Sequence, residues 1–277
     1  MKTAFEIKGE EPGTSDTHVL LEFGQYGMSI LKFRKDPFTI DSVFTYQFPE
    51  DVVDKISENV KEVITESALS NKDNVHVFCN VRESFLVPAE FMHEDAFAKQ
   101  MDLLYGISPG AELLYDEIIV EMGIGKQDKM YCVYRMPYGL QSLVETISTN
   151  KLKHATSVML KSGVSNTLYC TIFHNTIKLF LYGNDQLLIV QQFAYRTPAD
   201  VVYHLLNVCD KYNLSPSEID LYIDGMIDSN SSLYQEIYKY FLHIHFNVIA
   251  DDVFLSAGIK EHPLHFVTHL TDLARCV

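Results

Sequence analysis

Tryptophan is absent from this 277-residue chain, basic residues are few, and no apolar run approaches the length of a membrane span. Against 37 Asp and Glu stand only 22 Lys and Arg, a formal net charge of −15. Affinity for nucleic acid comes mainly from cations that neutralise phosphates, so this balance argues against nucleic acid and against an anionic membrane. About 18 consecutive apolar residues would be needed to cross a bilayer, and the opening MKTAFEIKGEEPGTSDTH has no apolar core of the kind a signal peptide needs. The expected location is the cytoplasm. The five cysteines, Cys79, Cys132, Cys170, Cys209 and Cys276, are odd in number, far apart and without a C-x-x-C pair. That excludes a disulfide framework and a zinc knuckle, and reads as small buried apolar side chains.

Common catalytic signatures are missing too. No G-x-S-x-G elbow and no H-E-x-x-H occur. GIGKQDK, Gly123 to Lys129, carries part of a phosphate loop, but Gln127 follows Lys126 where Ser or Thr would be needed, and the strand-like MYCVYRM comes next. A hairpin turn is the expectation there.

What the chain does contain is one pattern written twice. FTYQFPEDVV (Phe44 to Val53) returns as FAYRTPADVV (Phe193 to Val202). At the same offset HVLLEFGQYGMSILKFRKD (His18 to Asp36) lies without a gap over TLYCTIFHNTIKLFLYGND (Thr167 to Asp185), with apolar matches such as Phe23 with Ile172 and Ile30 with Leu179. A period of about 150 residues far exceeds a solenoid unit of 20 to 50, so the expectation is duplication of a whole lobe. Each copy reads as two strands across a turn, then a third strand, then a helix that begins near the repeated Pro. In the second copy Thr197 is placed to cap that helix and Asp200 to meet its positive end, whereas the first copy has Phe48 at the cap position. Val52, Val53, Ile56, Val60, Val63 and Ile64, and likewise Val201, Val202, Leu205, Leu206, Val208 and Cys209, recur at helical spacing. After each helix an apolar run, VHVFCN or IDLYIDG, reads as a parallel strand, and a further helix follows at His93 to Tyr105 or Ser231 to Leu242.

Three strands, a helix, a strand and a helix describe a ribonuclease H-like unit, and two in tandem describe the actin-like fold. The chain thus resembles the actin-like ATPase superfamily, which includes actin, sugar kinases, heat-shock chaperones and pilus-assembly scaffolds. It looks most like an uncharacterised bacterial family of about this length with that fold. The resemblance implies an α/β protein of two lobes with mixed five-stranded sheets and helices. Residues 1–155 would form the first lobe and 156–277 the second, with a C-terminal helix at about 263–277 free to pack back on the first. Asn150 to Asn166 would be the crossing.

The superfamily holds Mg-ATP between its lobes on two hairpins, each an Asp followed by a Gly-rich turn, because backbone N–H groups must approach phosphate closely. The first copy offers Glu22, Gly24, Gln25, Gly27 and Ser29, keeping an acid, two glycines and a hydroxyl. The second, Thr171 to Lys178, has His174 and Asn175 in the turn and neither acid nor glycine. A turn at Asp224 and Gly225 is a counterpart of the superfamily's adenosine loop. These residues should border the cleft. The expectation is a non-catalytic binding or scaffold protein with a degenerate cleft, a protein partner and no cofactor. The alternative is a divergent phosphotransferase in which Glu22 and Asp224 position Mg²⁺ for ATP. A metal reading also exists: His262, His265 and His269 would share one face of a helix. Its rival, which is preferred, keeps those histidines on the outer face with Phe266, Leu270, Leu273 and Ala274 inward. Tyr-rich segments such as YQEIYKYF suit either packing or a partner.

Overall fold

The structure is a computed structural model that describes residues 2–9, 16–49, 56–66, 72–121, 127–160, 166–184 and 186–277. Glu50 to Val53 of the first repeat, Gly123 to Lys126 and Asp185 lie outside them. Strand β1 (Lys2–Ile7) precedes an antiparallel meander of β2 (His18–Gly24), β3 (Gly27–Lys35) and β4 (Phe38–Gln47). Helix α1 (Ile56–Glu66) leads to β5 (Val75–Asn80), which runs parallel to β2. An excursion follows: β6 (Ser84–Pro88), α2 (Glu94–Tyr105), β7 (Ala111–Glu121) and β8 (Gln127–Pro137). Helix α3 (Leu140–Glu145), β9 (Lys153–His154) and α4 (Thr156–Met159) come next. The second meander is β10 (Thr167–Ile172), β11 (Thr176–Gly183) and β12 (Gln186–Ala194), followed by α5 (Pro198–Lys211) and the parallel strand β13 (Asp220–Gly225). The chain ends through α6 (Ser232–Tyr238), β14 (His243–Phe246), β15 (Phe254–Leu255), α7 (Ala257–Lys260) and α8 (Thr268–Ala274).

Both halves therefore carry the ribonuclease H-like order, and the fold is the two-lobed α/β architecture that the sequence pattern implies. The second sheet has the expected five strands, ordered β12-β11-β10-β13-β14. Among the described residues the first has seven, β1-β4-β3-β2-β5-β9 with β15 also on β4. Strand β1 pairs Val43 to Gln47 of β4, and β15, from the far end of the chain, pairs Thr39 and Ile40.

Alternation explains how β2 becomes a central strand. Leu21 and Phe23 face one side, where Val60 and Val63 of α1 and Leu140 and Val144 of α3 complete a core. Leu20 faces the other, with Leu31, Phe33 and Ile40, covered by Ile259 of α7 and by Leu270 and Leu273 of α8. A strand buried on both faces reads as a continuous apolar run, and Glu22 interrupts it. In the second lobe Val201, Val202, Leu205, Val208 and Cys209 of α5 are buried against β10, β11 and β13.

The helix expected over His93 to Tyr105 forms, but it does not cover the first sheet. Its Phe97 and Met101 pack on Val87 and Val133 of a separate three-stranded sheet, β6-β8-β7. Two apolar residues four apart make a stripe wide enough only for a small sheet. Arg135 of β8 fixes α2 by forking to Glu83 (2.6 Å), Asp102 (2.9 Å) and the Gly106 carbonyl (2.8 Å).

The second repeat's helix starts as its sequence indicates. Thr197 Oγ1 accepts from the Asp200 N–H at 3.3 Å, and the Asp200 carboxylate accepts from the Thr197 and Arg196 N–H groups at 2.8 and 2.9 Å. Those backbone donors hold the Asp200 pKa below its ordinary value. Thr197→Ala is expected to cost about 1 kcal/mol of unfolding free energy, read as a lower urea midpoint at unchanged slope.

Candidate functional site

Strand register sets a polar row on each sheet. On the first, Glu22 of β2 pairs with Ser29 of β3, and Ser29 with Thr45 of β4. On the second, Gln192 of β12 pairs with Lys178 of β11, Lys178 with Thr171 of β10, and Thr171 with Asp224 of β13. The rows communicate through a buried chain of contacts. Lys178 Nζ donates to Asn80 Oδ1 at 2.7 Å, Asn80 Nδ2 donates to Glu22 Oε1 at 3.0 Å, and His269 Nε2 donates to Glu22 Oε2 at 3.1 Å. Glu22, Asn80, Lys178 and His269 are 4%, 3%, 1% and 5% exposed, so water does not screen them.

Burial pushes the Lys178 pKa down to about 8, with the Glu22 carboxylate opposing the shift. Burial would also lower the pKa of His269, but Glu22, by charge and by hydrogen bond, outweighs it, and Asp224 and Asp272 add to the rise. Glu22 therefore favours the protonated form of His269, which sits on the acid of the first hairpin. The ring of Phe173 stands edge-on to it, 5.1 Å between centroids.

The cleft between the lobes holds about 60 Å³. Of the residues expected to border it, Glu22, Gly24, Gln25, Gly27, Ser29 and His174 do so. Asn175 sits in the second turn at a positive φ of 61°, supplying the left-handed residue that a glycine would otherwise give. Asp224 and Gly225 do not line the cleft; Met226 does, while Asp224 faces a smaller cavity beside Thr171 and Asn247. The first hairpin's glycine has a structural cause, since a Cβ on Gly27 would lie 2.5 Å from the Tyr46 carbonyl oxygen. Gly225, at φ 81°, would put a Cβ 2.2 Å from the Ile172 carbonyl oxygen. Gln47 Nε2 donates to His174 Nε2, a bond that joins the two lobes.

The C-terminal histidines separate. A 3-10 turn over Leu264–Phe266 and α8 replace one continuous helix, so the three do not share a face. His262 is exposed, and His265 Nε2 bonds the Ile227 carbonyl at 2.6 Å while its ring stacks on Phe246. His269 is buried, which corrects the expectation of an outer position: α8 is covered by the second lobe as well as the first, so it has no solvent face there. Among the described residues no group of three His, Cys, Asp or Glu comes together for a metal ion.

Sequence reasoning missed Asn80 and His269 as partners of Glu22, and Lys178 as the partner of Asn80. The available signal was polarity inside otherwise apolar strands, as in TIKLFLYG and VHVFCN. A Cys–His–Asp group also assembles in the first lobe. Cys132 Sγ is 3.6 Å from His154 Nδ1, but Asp116 accepts from the His154 backbone N–H (2.6 Å) and from Ser157 Oγ (2.8 Å). Burial pushes the Cys132 thiol up to about 12 and His154 well below its usual pKa. A sealed thiol beside a neutral imidazole is packing, not a nucleophile.

Residues 12–244 match the family described as Protein of unknown function (DUF3822). The chain belongs to this family. Curated proteins give no match to the DUF3822 chain. Among solved structures, a Bacteroides thetaiotaomicron protein with an actin-like ATPase fold and unknown function is similar at 15% identity and a TM-score of 0.68, over 84% of this chain and 91% of that one. The PilM–PilN type IV pilus biogenesis complex matches at 12% identity and a TM-score of 0.58, over 95% and 99%. The DUF3822 chain thus has the actin-like ATPase fold.

The raised pKa of His269 means that its ion pair contributes fully below the unfolded value and is lost as pH rises through the folded one. His269→Gln is expected to cost roughly 3 kcal/mol near pH 6, the scale for breaking a buried pair. That difference from the wild type should shrink as pH rises above 6.5, as measured by urea unfolding across a pH series.

Proposed function

We propose that this chain is a non-catalytic binding or scaffold protein whose nucleotide cleft is filled by its own side chains. The observation that carries this reading is the commitment of Glu22. A Mg²⁺ ion in such a cleft needs carboxylate oxygens, directly or through water. Both Glu22 oxygens already accept hydrogen bonds, one from Asn80 and one from His269. The buried amine of Lys178 stands one residue further along the chain of contacts, so a divalent ion would meet positive charge there.

Space and backbone agree with the electrostatics. A cleft of about 60 Å³ is well below the roughly 300 to 1,000 Å³ usual for ligand sites. The second hairpin, with Phe173, His174 and Asn175 at its tip, offers no glycine turn to cradle phosphate.

A protein partner suits this reading better than a small cofactor. The PilM–PilN complex is an assembly in which a chain of this fold has a protein partner. On the first lobe, a groove of about 490 Å³ between β7 and α3, lined by Leu113, Leu114, Tyr134, Val144 and Lys151, offers room for a partner's side chains. Among the described residues no helix is long and apolar enough to cross a membrane.

Thermal unfolding with and without millimolar Mg-ATP tests the proposal. No change in midpoint is expected. A ligand at about 100 times its dissociation constant adds roughly 2.7 kcal/mol, a rise of several degrees. Such a rise, abolished by Glu22→Ala, would show Mg-ATP binding at this cleft and overturn the proposal in favour of the nucleotide-binding alternative.

A further inference from the structure

Strand β7 ends the small sheet, and the order β6-β8-β7 leaves its outer side unpaired among the described residues over a length of 11 residues. Backbone phase decides what that side presents. On β8 the Arg135 N–H donates to the Glu83 carbonyl beside β6, whereas the Tyr138 N–H donates to the Gly110 carbonyl beside β7, both at 2.9 Å. Since Leu114 pairs with Tyr134 and Glu112 with Met136 without a bulge, the even residues of β7 bond to β8. Leu113, Glu117 and Ile119 therefore turn their N–H and C=O groups outward. No proline blunts the edge, and the side chains of Glu117 and Ile119 are exposed.

The groove of about 490 Å³ starts at the same strand, where Leu113 and Leu114 of β7 line it together with Tyr134 of β8, Val144 of α3 and Leu152. A chain laid beside β7 in extended form would turn every second side chain toward that apolar lining. Charge narrows the choice of chain. Lys129 meets Glu117 at 2.7 Å and Lys151 meets Asp116 at 3.8 Å, but Glu145, in the groove, meets the Gln141 amide at 3.2 Å and, among the described residues, no cation. Glu112, on the same face of β7 as Leu114, keeps a buried Oε1 with no hydrogen-bond partner among the described residues. A second copy of this chain, itself at a net charge of −15, would add to the acid excess.

We propose that β7 is the docking edge for an extended basic segment of a partner protein, which adds a further strand to the small sheet. Apolar side chains at alternate positions of that segment enter the groove, and a Lys or Arg in the same row meets Glu112 or Glu145. The outward backbone groups supply affinity, while the groove and the two acids select the sequence. The inference rests on the reading of this chain as a binding protein and names the surface and the chemistry of its partner, apart from the Glu22 cleft.

The probe is the fluorescein-labelled peptide KTLTLTK, whose symmetry serves either strand direction, titrated with the full chain and read by anisotropy. Saturable binding is expected. It should weaken by about tenfold or more for ETLTLTE, which repels the acids, and for KLTTTLK, which turns the leucines away from the groove. Glu117→Pro removes an outward N–H that β8 does not use, so binding should weaken by about tenfold with the sheet intact by circular dichroism. Glu117→Ala, which keeps that N–H, should weaken it less. Should Glu117→Pro fail to fold, Glu112→Gln decides: it should weaken KTLTLTK and leave ETLTLTE no weaker. Absence of saturable KTLTLTK binding, equal binding of ETLTLTE, or KTLTLTK binding unchanged by Glu117→Pro or Glu112→Gln overturns the surface. A chain that sediments as a dimer, and as a monomer once Glu117→Pro is introduced, would assign the edge to a second copy and overturn it equally. A thermal response to Mg-ATP would overturn the non-catalytic reading of the cleft and leave the peptide result standing, so the two failures are told apart.

Discussion

The contact chain Lys178–Asn80–Glu22–His269 is the constraint on which the rest of the structure depends. Its members come from β11, β5, β2 and α8, four elements far apart in sequence. Ionisable groups buried together are tolerable only if each finds a partner, because removing one member strands the others in a low-dielectric interior. That requirement fixes the second sheet against the first and draws the C-terminal helix into the seam between them. Asn80 is the adapter: its amide N–H₂ serves the acid and its amide oxygen serves the lysine.

The return of the chain to its own beginning follows from the same geometry. After completing the second sheet, the chain crosses back, adds β15 to β4, and covers the outer face of the first sheet with α7 and α8. Ser256 seals the junction by donating from Oγ to the Asp41 carbonyl at 2.9 Å. The first lobe's core is consequently unfinished until the last residues arrive, and the two lobes cannot form wholly independent cores. Contacts of such long sequence separation are the ones that slow folding.

The actin-like ATPase fold describes how the sheets and helices are connected, and a shared connection does not carry an activity with it. In this chain the cleft holds Glu22 in place of an aspartate, a buried lysine and histidine, a Gln47–His174 bond between the lobes and an asparagine at the second turn. Each substitution is locally satisfied by a hydrogen bond or a permitted backbone conformation.

Much of the architecture was legible in the residues. Alternating aliphatic positions in HVLLEFG and TLYCTI, helical spacing in PADVVYHLLNVC, and the capping pair Thr197 and Asp200 are local signals, and local signals survive in any tertiary context. They placed Glu22, Gly24, Gln25, Gly27, Ser29 and His174 at one cleft because the hairpin turns of the two halves occupy corresponding ends of their sheets. Other features had no local signature. The helix at Glu94–Tyr105 carries the same amphipathic stripe whichever sheet it covers, and only the packing of Phe97 and Met101 chose the small one. His262, His265 and His269 have helical spacing, yet a 3-10 turn separates them and the last is buried against Glu22, 247 residues away. The sequence by itself determined the strands and helices of the repeated unit and their order, since these depend on periodicity and caps within about a dozen residues, while the added strands β1, β9 and β15 and the three-stranded sheet were not read from it. Tertiary structure alone decided which buried charges meet, because pairing between Glu22, Asn80, Lys178 and His269 depends on where distant strands end, and no local pattern encodes that distance.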